Sequence, residues 1–159
     1  MIYLIAPVIV IEFVSGRRLL AEGSTTRKWI GLTIANLVST FLGWPLAWIL
    51  LVILQMTTGG GGVHGLDSPL GVILSVTHQA PWLIPYENEL YWMVPVAMAV
   101  LLIPFFFVSV FSERLILQFI WKEEDKSILR RFSWLAHLWS YGFLLLVVIV
   151  YAAHSITTR

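Results

Sequence analysis

The chain has 159 residues, of which 58% are hydrophobic and only 12% are charged, and its formal net charge is +1. A soluble domain carries about 25% charged residues, so this chain has too little charge to cover a water-soluble surface. The small net charge argues against a nucleic-acid partner, because duplex binding requires clustered Lys and Arg. The absence of cysteine excludes disulfides, thiolate catalysis and cysteine metal sites. We therefore expect an integral membrane protein.

Four apolar stretches predict the fold class, an all-α membrane protein of four transmembrane helices. A run of this kind satisfies its backbone polar groups in lipid only as a helix. The first stretch is interrupted by Pro7 and Glu12, and its uncharged part is short for a full span, so it could be tilted or only partly inserted. The stretches are Ile2 to Val14, Trp29 to Met56, Tyr91 to Phe111 and Trp134 to Ala153.

The spacing of these stretches predicts two helical hairpins joined by a longer connection. The first hairpin covers 1–56, the connection covers 57–90, and the second hairpin covers 91–159. Each hairpin contains a short segment between its two helices, 15–28 in the first and 114–131 in the second. Both segments are rich in basic residues.

The distribution of basic residues predicts the orientation in the membrane. Segments 15–28 and 114–131 hold nine of the ten basic residues, leaving only Arg159, whereas 57–90 holds no Lys or Arg. Lys and Arg accumulate in cytoplasmic loops. We therefore expect both basic segments in the cytoplasm, and both termini and the connection on the exoplasmic side, with the bacterial inner membrane as the location.

The connection combines a glycine run, a short helix and an aromatic belt. Gly59, Gly60, Gly61 and Gly62 predict a flexible stretch or a close approach of the backbone. Leu66 to Val76 predicts a short interfacial helix, with Asp67 or Ser68 as its N-cap and Pro69 in its first turn. Aromatic side chains prefer the headgroup level, so the belt should contact lipid or a partner. Its members are Trp82, Tyr86, Tyr91 and Trp92.

The two hairpins align when the sequence is shifted by 101 positions, which suggests an internal repeat. The shift places Asn36 on His137, a polar residue on a polar residue. Apolar sequences match easily by chance, so a duplication and coincidence both stay open. A true duplication would be a parallel repeat, because two spans separate equivalent points. The matching identities are Glu12 with Glu113, Glu22 with Glu123, Ala35 with Ala136, Leu37 with Leu138, and Ser39 with Ser140.

Six polar residues are the main candidate site. Residues equidistant from the turn of a helical hairpin lie at the same depth, so Glu12 should face Asn36, and Glu113 should face His137. Ser39 and Ser140 lie three residues further along the same helical faces. One interpretation is a pair of hydrogen-bonded clamps, one in each hairpin. The other is a polar layer that conducts protons or binds a cation, because ionisable groups within a span are costly.

A metal site in the connection is a weaker hypothesis. His64, Asp67 and His78 offer ligands that suit zinc, but their spacing matches no ligand pattern. We predict no metal there and no cofactor. The aromatic surfaces could contact lipid, a quinone or a pigment, and their spacing does not choose among these.

Three classes of function are compatible with the sequence. No motif of hydrolases, metalloproteases or nucleotide-binding enzymes is present, which argues against a membrane enzyme. The leading prediction is a non-enzymatic accessory or scaffold subunit, with the bilayer and other membrane subunits, or copies of itself, as partners. The alternative is a small oligomeric transporter or channel that uses Glu12 and Glu113.

Overall fold

Helices make up the regular structure throughout the described part of the chain, which covers residues 2–17, 19–20, 24–59, 62–80 and 82–158 of a computed structural model. No strand is present in those ranges. Short 3-10 turns cover Ile2–Leu4 and Ile84–Glu89. The α-helices are α1 (Ile5–Gly16), α2 (Thr25–Gly59), α3 (Pro69–Thr77), α4 (Leu90–Ile120) and α5 (Lys126–Thr157).

Three of these helices are long and apolar enough to cross a membrane. The candidate spans are Thr25–Thr58, Tyr86–Ile120 and Lys126–Thr157. Helix α1 has 12 residues, which is roughly 18 Å at 1.5 Å per residue. A bilayer core is about 30 Å thick, so α1 is shorter than a full span. Composition and helix length together indicate a membrane protein.

The long helices extend beyond the apolar runs that predicted them. Helix α2 continues through Thr57 and Thr58, whose hydroxyls donate to the carbonyls of Ile53 and Leu54, at 2.9 Å and 2.6 Å. The predicted glycine run therefore begins inside the helix, with Gly59 as its last residue. Residues 60 and 61 lie outside the described ranges.

Helix α3 begins where its capping residues predicted. Ser68 is the N-cap, with its hydroxyl accepting the backbone N–H of Gly71 at 3.1 Å, and Pro69 occupies the first turn. Proline suits this position because its missing N–H would have no partner in the helix. Of the two predicted caps, the structure selects Ser68.

The chain divides into two compact units. Unit 1 comprises 1–44 and 106–144, and unit 2 comprises 45–105 and 145–159. The core of unit 1 includes Leu32, Leu117 and Phe132. Unit 2 has its own core, which includes Val76, Met93 and Ala97.

Two glycines of unit 1 permit close packing of aromatic rings. A Cβ at Gly16 would lie 1.9 Å from Cε2 of Phe132, and a Cβ at Gly31 would lie 2.8 Å from Cζ2 of Trp121. These rings therefore occupy space that any larger residue would fill. Glycine is required at both positions because a residue without a side chain lets the rings lie this close to the backbone.

Polar side chains complete the helix ends of unit 1. Arg27 donates through Nη2 to the carbonyl of Ile120, at 3.2 Å, where α4 ends. Lys28 donates through Nζ to the carbonyl of Leu20. At the start of α5, Oδ1 of Asp125 accepts the backbone N–H of Ser127 at 2.7 Å, and this bond holds the pKa of Asp125 below its ordinary value. Arg27 thus satisfies a carbonyl that the end of α4 leaves without a helical partner, and Lys28 satisfies one in the segment between α1 and α2.

Candidate functional site

The six predicted polar residues lie in one buried cluster inside unit 1. They come from four helices, α1, α2, α4 and α5, and each is at most 4% exposed. Buried polar groups need hydrogen-bond partners, because burial without them costs free energy. The cluster supplies these partners from within itself. Its members are Glu12, Asn36, Ser39, Glu113, His137 and Ser140.

Glu12 accepts hydrogen bonds from side chains on α2 and α5. Nδ2 of Asn36 donates to Oε2 of Glu12 at 2.7 Å. The hydroxyl of Ser140, on α5, donates to Oε1 of the same carboxylate at 2.9 Å. Nε2 of His137 lies 3.9 Å from that oxygen.

Glu113 has the corresponding set of neighbours. The hydroxyl of Ser39, on α2, donates to Oε1 of Glu113 at 2.7 Å, and Nδ2 of Asn36 donates to Oε2 at 3.3 Å. Nε2 of His137 lies 3.3 Å from Oε1. Each carboxylate is therefore near its predicted partner and also accepts a hydrogen bond from a serine on another helix.

The bonds that join the two predicted pairs are the part of the site that sequence reasoning missed. The sequence predicted only that Ser39 and Ser140 share the helical faces of Asn36 and His137. In the structure, Ser39 bonds Glu113 and Ser140 bonds Glu12. Depth along a hairpin does not determine which neighbour a helical face meets. The alignment of the sequence with itself at an offset of 101 was the signal that could have predicted these bonds. Two equivalent halves related by a twofold axis can each supply a partner to the other.

The contacts of the cluster correspond in pairs at that offset. The bonds made by the serines match in partner and nearly in length. Nδ2 of Asn36 also lies 3.1 Å from the carbonyl of Leu32, so its two hydrogens are shared among three acceptors. Nδ1 of His137 lies 2.7 Å from the carbonyl of Ser133, which is 101 residues after Leu32. The equivalent contacts are Glu12–Asn36 with Glu113–His137, Glu12–Ser140 with Glu113–Ser39, and Glu113–Asn36 with Glu12–His137.

The imidazole of His137 has a defined orientation. A carbonyl oxygen only accepts hydrogen bonds, so Nδ1 must donate its proton to Ser133. The ring then turns Nε2 toward the two carboxylates, and the side chain is 2% exposed. Within the described ranges, Nε2 has no partner with hydrogen-bond geometry.

Aromatic side chains close one side of the cluster. The ring of Tyr141 stacks on His137 with centroids 6.1 Å apart, and the edge of Phe106 approaches at 6.4 Å. The hydroxyl of Tyr141 is paired with Ser109 at 2.9 Å. These rings exclude water from the site, which strengthens electrostatic interactions inside it.

Two carboxylates give the cluster its chemical character, and in the described part of the chain neither forms an ion pair with Lys or Arg. Among the residues that the structure describes, the ion pairs of Glu12 and Glu113 are limited to their contacts with His137. Ligand atoms of these three residues all lie within 4.8 Å of one another. Such a set can link helices, share a proton or hold a cation.

The predicted contact residues of the connection lie in unit 2 and differ in exposure. Trp82 is 39% exposed, and its ring lies 5.2 Å from that of Trp48. Tyr91 and Trp92 are half-buried, with Nε1 of Trp92 donating to Glu89. The carbonyl of Gly62 accepts Nε2 of Gln79 at 3.1 Å. Gly62 is thus held in place by a side chain.

Tyr86 differs from the predicted aromatic belt because it is buried. Its hydroxyl lies 2.5 Å from the carbonyl of His64 and 2.7 Å from Oε1 of Gln79, and its single proton can be donated to one of them at a time. These contacts fix the segment around His64 against the core of unit 2. A tyrosine used in this way is not available to a lipid or a partner.

The weaker metal candidates do not converge. The rings of His64 and His78 are 6.2 Å apart, and Nδ1 of His78 is paired with the hydroxyl of Thr58 at 3.2 Å. In the described ranges, the group of possible metal ligands that comes together is Glu12, Glu113 and His137, and it does not include His64, Asp67 or His78.

Comparison with known proteins gives no match, since no family model, curated protein or solved structure is significantly similar to this chain.

Proposed function

We propose that this chain is a non-enzymatic accessory subunit of a larger membrane complex, acting through helix packing and through its 57–90 connection. The observation that carries the proposal is that α3 is anchored on one face and exposes apolar side chains on another. One face of this helix is anchored by Ser75 and Val76, which are buried, while Leu70 and Ile73 are 65% and 57% exposed. A fixed helix with protruding apolar side chains is suited to contact another apolar surface.

The long helices provide further contact surface. In each candidate span, only 22% of the most apolar window is buried within the chain. Phe41 and Trp44 on α2 are 79% and 72% exposed, and Trp139 on α5 is 63% exposed. Helices in lipid associate through close packing, and large aromatic side chains dominate many interfaces. These surfaces are therefore suited to neighbouring helices as well as to lipid.

The proposal includes a topology and an origin. It places α1 in the membrane as a fourth, short membrane helix, both basic segments in the cytoplasm, and the termini and connection outside the bacterial inner membrane. Nine of the ten basic residues lie in these two segments, and this distribution supports the orientation. The contacts that correspond at an offset of 101 support a parallel repeat.

Gentle detergent extraction of the native protein tests the accessory role. We expect the 18.1 kDa chain to migrate in a larger complex with other membrane proteins. Leu70→Asn combined with Ile73→Asn should release it from that complex. Tyr3→Asn, at a residue that is 90% exposed, is the matched control and should leave the complex intact. Migration of wild type as a lipid-bound monomer would contradict the proposal.

A small oligomeric transporter is the second candidate, favoured by the buried carboxylates of Glu12 and Glu113. It predicts that the purified chain alone moves an ion across liposomes and that Glu113→Gln abolishes this flux. Ser127→Ala, on the exposed start of α5, serves as the control. Flux that depends on the carboxylate, without any co-purified partner, would replace the accessory role.

A further inference from the structure

We propose that Glu12, Glu113 and His137 bind one divalent transition-metal ion inside unit 1. The proposal goes beyond the accessory role, and it requires no partner protein. Two independent features point to it. One is the pair of buried carboxylates, and the other is the buried imidazole nitrogen that faces them and has no hydrogen-bond partner among the residues that the structure describes.

The orientation of His137 directs its Nε2 atom at the position between the carboxylates where the proposed cation would bind. Because Nδ1 donates to the carbonyl of Ser133, the ring in its neutral form would carry its lone pair on Nε2. That lone pair is directed at Oε1 of Glu113 and Oε1 of Glu12, 3.3 Å and 3.9 Å away. Three electron-rich atoms facing one another repel unless a proton or a metal ion lies between them, and a metal ion bound there would contact all three. A ring fixed through its other nitrogen is the usual arrangement of a metal-binding histidine.

The two separations from Nε2 of His137 suit a metal ion, and ligand atoms of all three residues lie within 4.8 Å of one another. Zinc binds imidazole nitrogen and carboxylate oxygen at about 2.0–2.2 Å, and tetrahedral geometry then places two ligand atoms roughly 3.4 Å apart. The distances of 3.3 Å and 3.9 Å from Nε2 of His137 lie near this value. Small rotations of the carboxylates would complete the coordination. Three protein ligands would leave a further position for water or another ligand.

The charge of the ligands is compatible with a divalent ion. Two ionised carboxylates and a neutral imidazole carry a total charge of −2, and the described part of the chain places no Lys or Arg in an ion pair with either carboxylate. Buried charge is costly unless it is compensated. One divalent ion makes the site neutral. The imidazole ligand favours zinc, iron, nickel or copper over magnesium and calcium.

The neighbouring side chains provide the support that metal ligands need. Ser39 and Ser140 donate to the same carboxylate oxygens that face His137, at 2.7 Å and 2.9 Å. Asn36 donates to the other oxygen of each carboxylate. Partners of this kind orient ligands, and their loss typically weakens metal affinity by about 10-fold to 100-fold.

The test uses the purified full-length chain in detergent, carrying an affinity tag without histidine and stripped with a chelator. Zn²⁺ is the probe, with stoichiometry measured by elemental analysis and affinity by calorimetry. We expect one ion per chain and a higher Tm when Zn²⁺ is present. Co²⁺ should give visible d–d absorption, which reports coordination directly.

Variants assign the ion to this site. Glu113→Gln and His137→Asn should abolish the 1:1 binding, the Co²⁺ absorption and the Tm increase. Ser140→Ala should weaken binding by about 10-fold to 100-fold, and this milder variant keeps all three ligands if the others fail to fold. His154→Asn removes an exposed imidazole and is the control that should bind as wild type does.

Three results would overturn the proposal. The first is wild-type protein that stays folded and binds no Zn²⁺ at 1:1. The second is binding that persists unchanged in folded Glu113→Gln, and the third is binding that is lost in His154→Asn. A cluster held only by protons would give the first result. Complex formation measured separately would still decide the accessory role.

Discussion

Gly16 ends α1 at a point where the backbone meets the ring of Phe132. Added methyl groups at such a point force the neighbouring ring to move, because a Cβ would lie only 1.9 Å from Cε2. The residue therefore determines how closely α1 approaches α5 within unit 1.

The first prediction concerns this contact. Gly16→Ala should destabilise the protein by about 1–3 kcal/mol, as overpacking generally does. Gly142→Ala, on α5, is the matched control, because no atom lies within 4 Å of the position that its new methyl group would occupy and alanine favours the helix by up to about 1 kcal/mol. Thermal unfolding in one detergent measures both. Equal Tm values for Gly16→Ala and wild type would contradict this packing.

The second prediction concerns Asp125 at the start of α5. Its pKa is lowered because the ionised carboxylate accepts the backbone N–H of Ser127. A lowered folded-state pKa contributes stability above the ordinary value of 3.8, and that contribution is lost as the pH falls through the folded-state value. Asp125→Ala should lower the Tm at pH 7 and have a smaller effect at pH 3.

Asparagine separates the cap from the charge. Asp125→Asn should largely preserve the Tm at pH 7, because Asn is about as good an N-cap as Asp. It should also remove the pH dependence assigned to this residue. Identical pH profiles for wild type and Asp125→Asn would show that the carboxylate does not contribute.

At the scale of elements, α3 depends on its cap more than the longer helices do. It has 9 residues, and isolated helices shorter than about 12–15 residues are marginal in water. Ser68→Ala should therefore destabilise α3 by about 1 kcal/mol, with faster amide hydrogen exchange from Gly71 onward. Ser68→Asp should retain protection, since aspartate also caps. Unchanged exchange in Ser68→Ala would exclude the capping role.

The sequence predicted which segments are helical more accurately than it predicted the residues at which each helix ends. Apolar runs located α2, α4 and α5, because lipid leaves a backbone no alternative partners. The ends were missed because Thr57, Thr58 and the polar residues after Phe111 continue the helices without being apolar. The length of α1 was uncertain for the same reason, since Pro7 and Glu12 interrupt its apolar pattern.

The sequence predicted which residues of the candidate site pair with each other, but it did not predict the hydrogen bonds that join one pair to the other. Equal depth brought Glu12 to Asn36 and Glu113 to His137, and these residues are in contact. The bonds from Ser39 to Glu113 and from Ser140 to Glu12 depend on how the helices of unit 1 pack. Hairpin spacing contains no information about that packing.

Tyr86 was predicted at the surface because aromatic residues of a belt usually lie there, whereas Gln79 and His64 provide its hydroxyl with buried partners.

At the scale of the whole molecule, the prediction is the orientation in the membrane. The chain contains no cysteine, so single replacements can be labelled with an impermeant thiol reagent. A cysteine at Ser68 should react in intact cells, whereas cysteines at Ser24 and Ser127 should react only after permeabilisation. Labelling of Ser24 or Ser127 from outside, with none at Ser68, would reverse the topology.

The bond between Ser140 and Glu12 spans 128 residues of sequence, which has a consequence for biosynthesis. Ribosomes deliver the chain from its N-terminus, so Glu12 enters the translocon long before α5 has been made. During that interval the carboxylate has Asn36 as a partner but not Ser140 or His137. We expect the early helices to be retained near the insertion machinery, or protected by a membrane chaperone, until the last helix arrives. Nascent chains that stop before α5 should accordingly be degraded quickly.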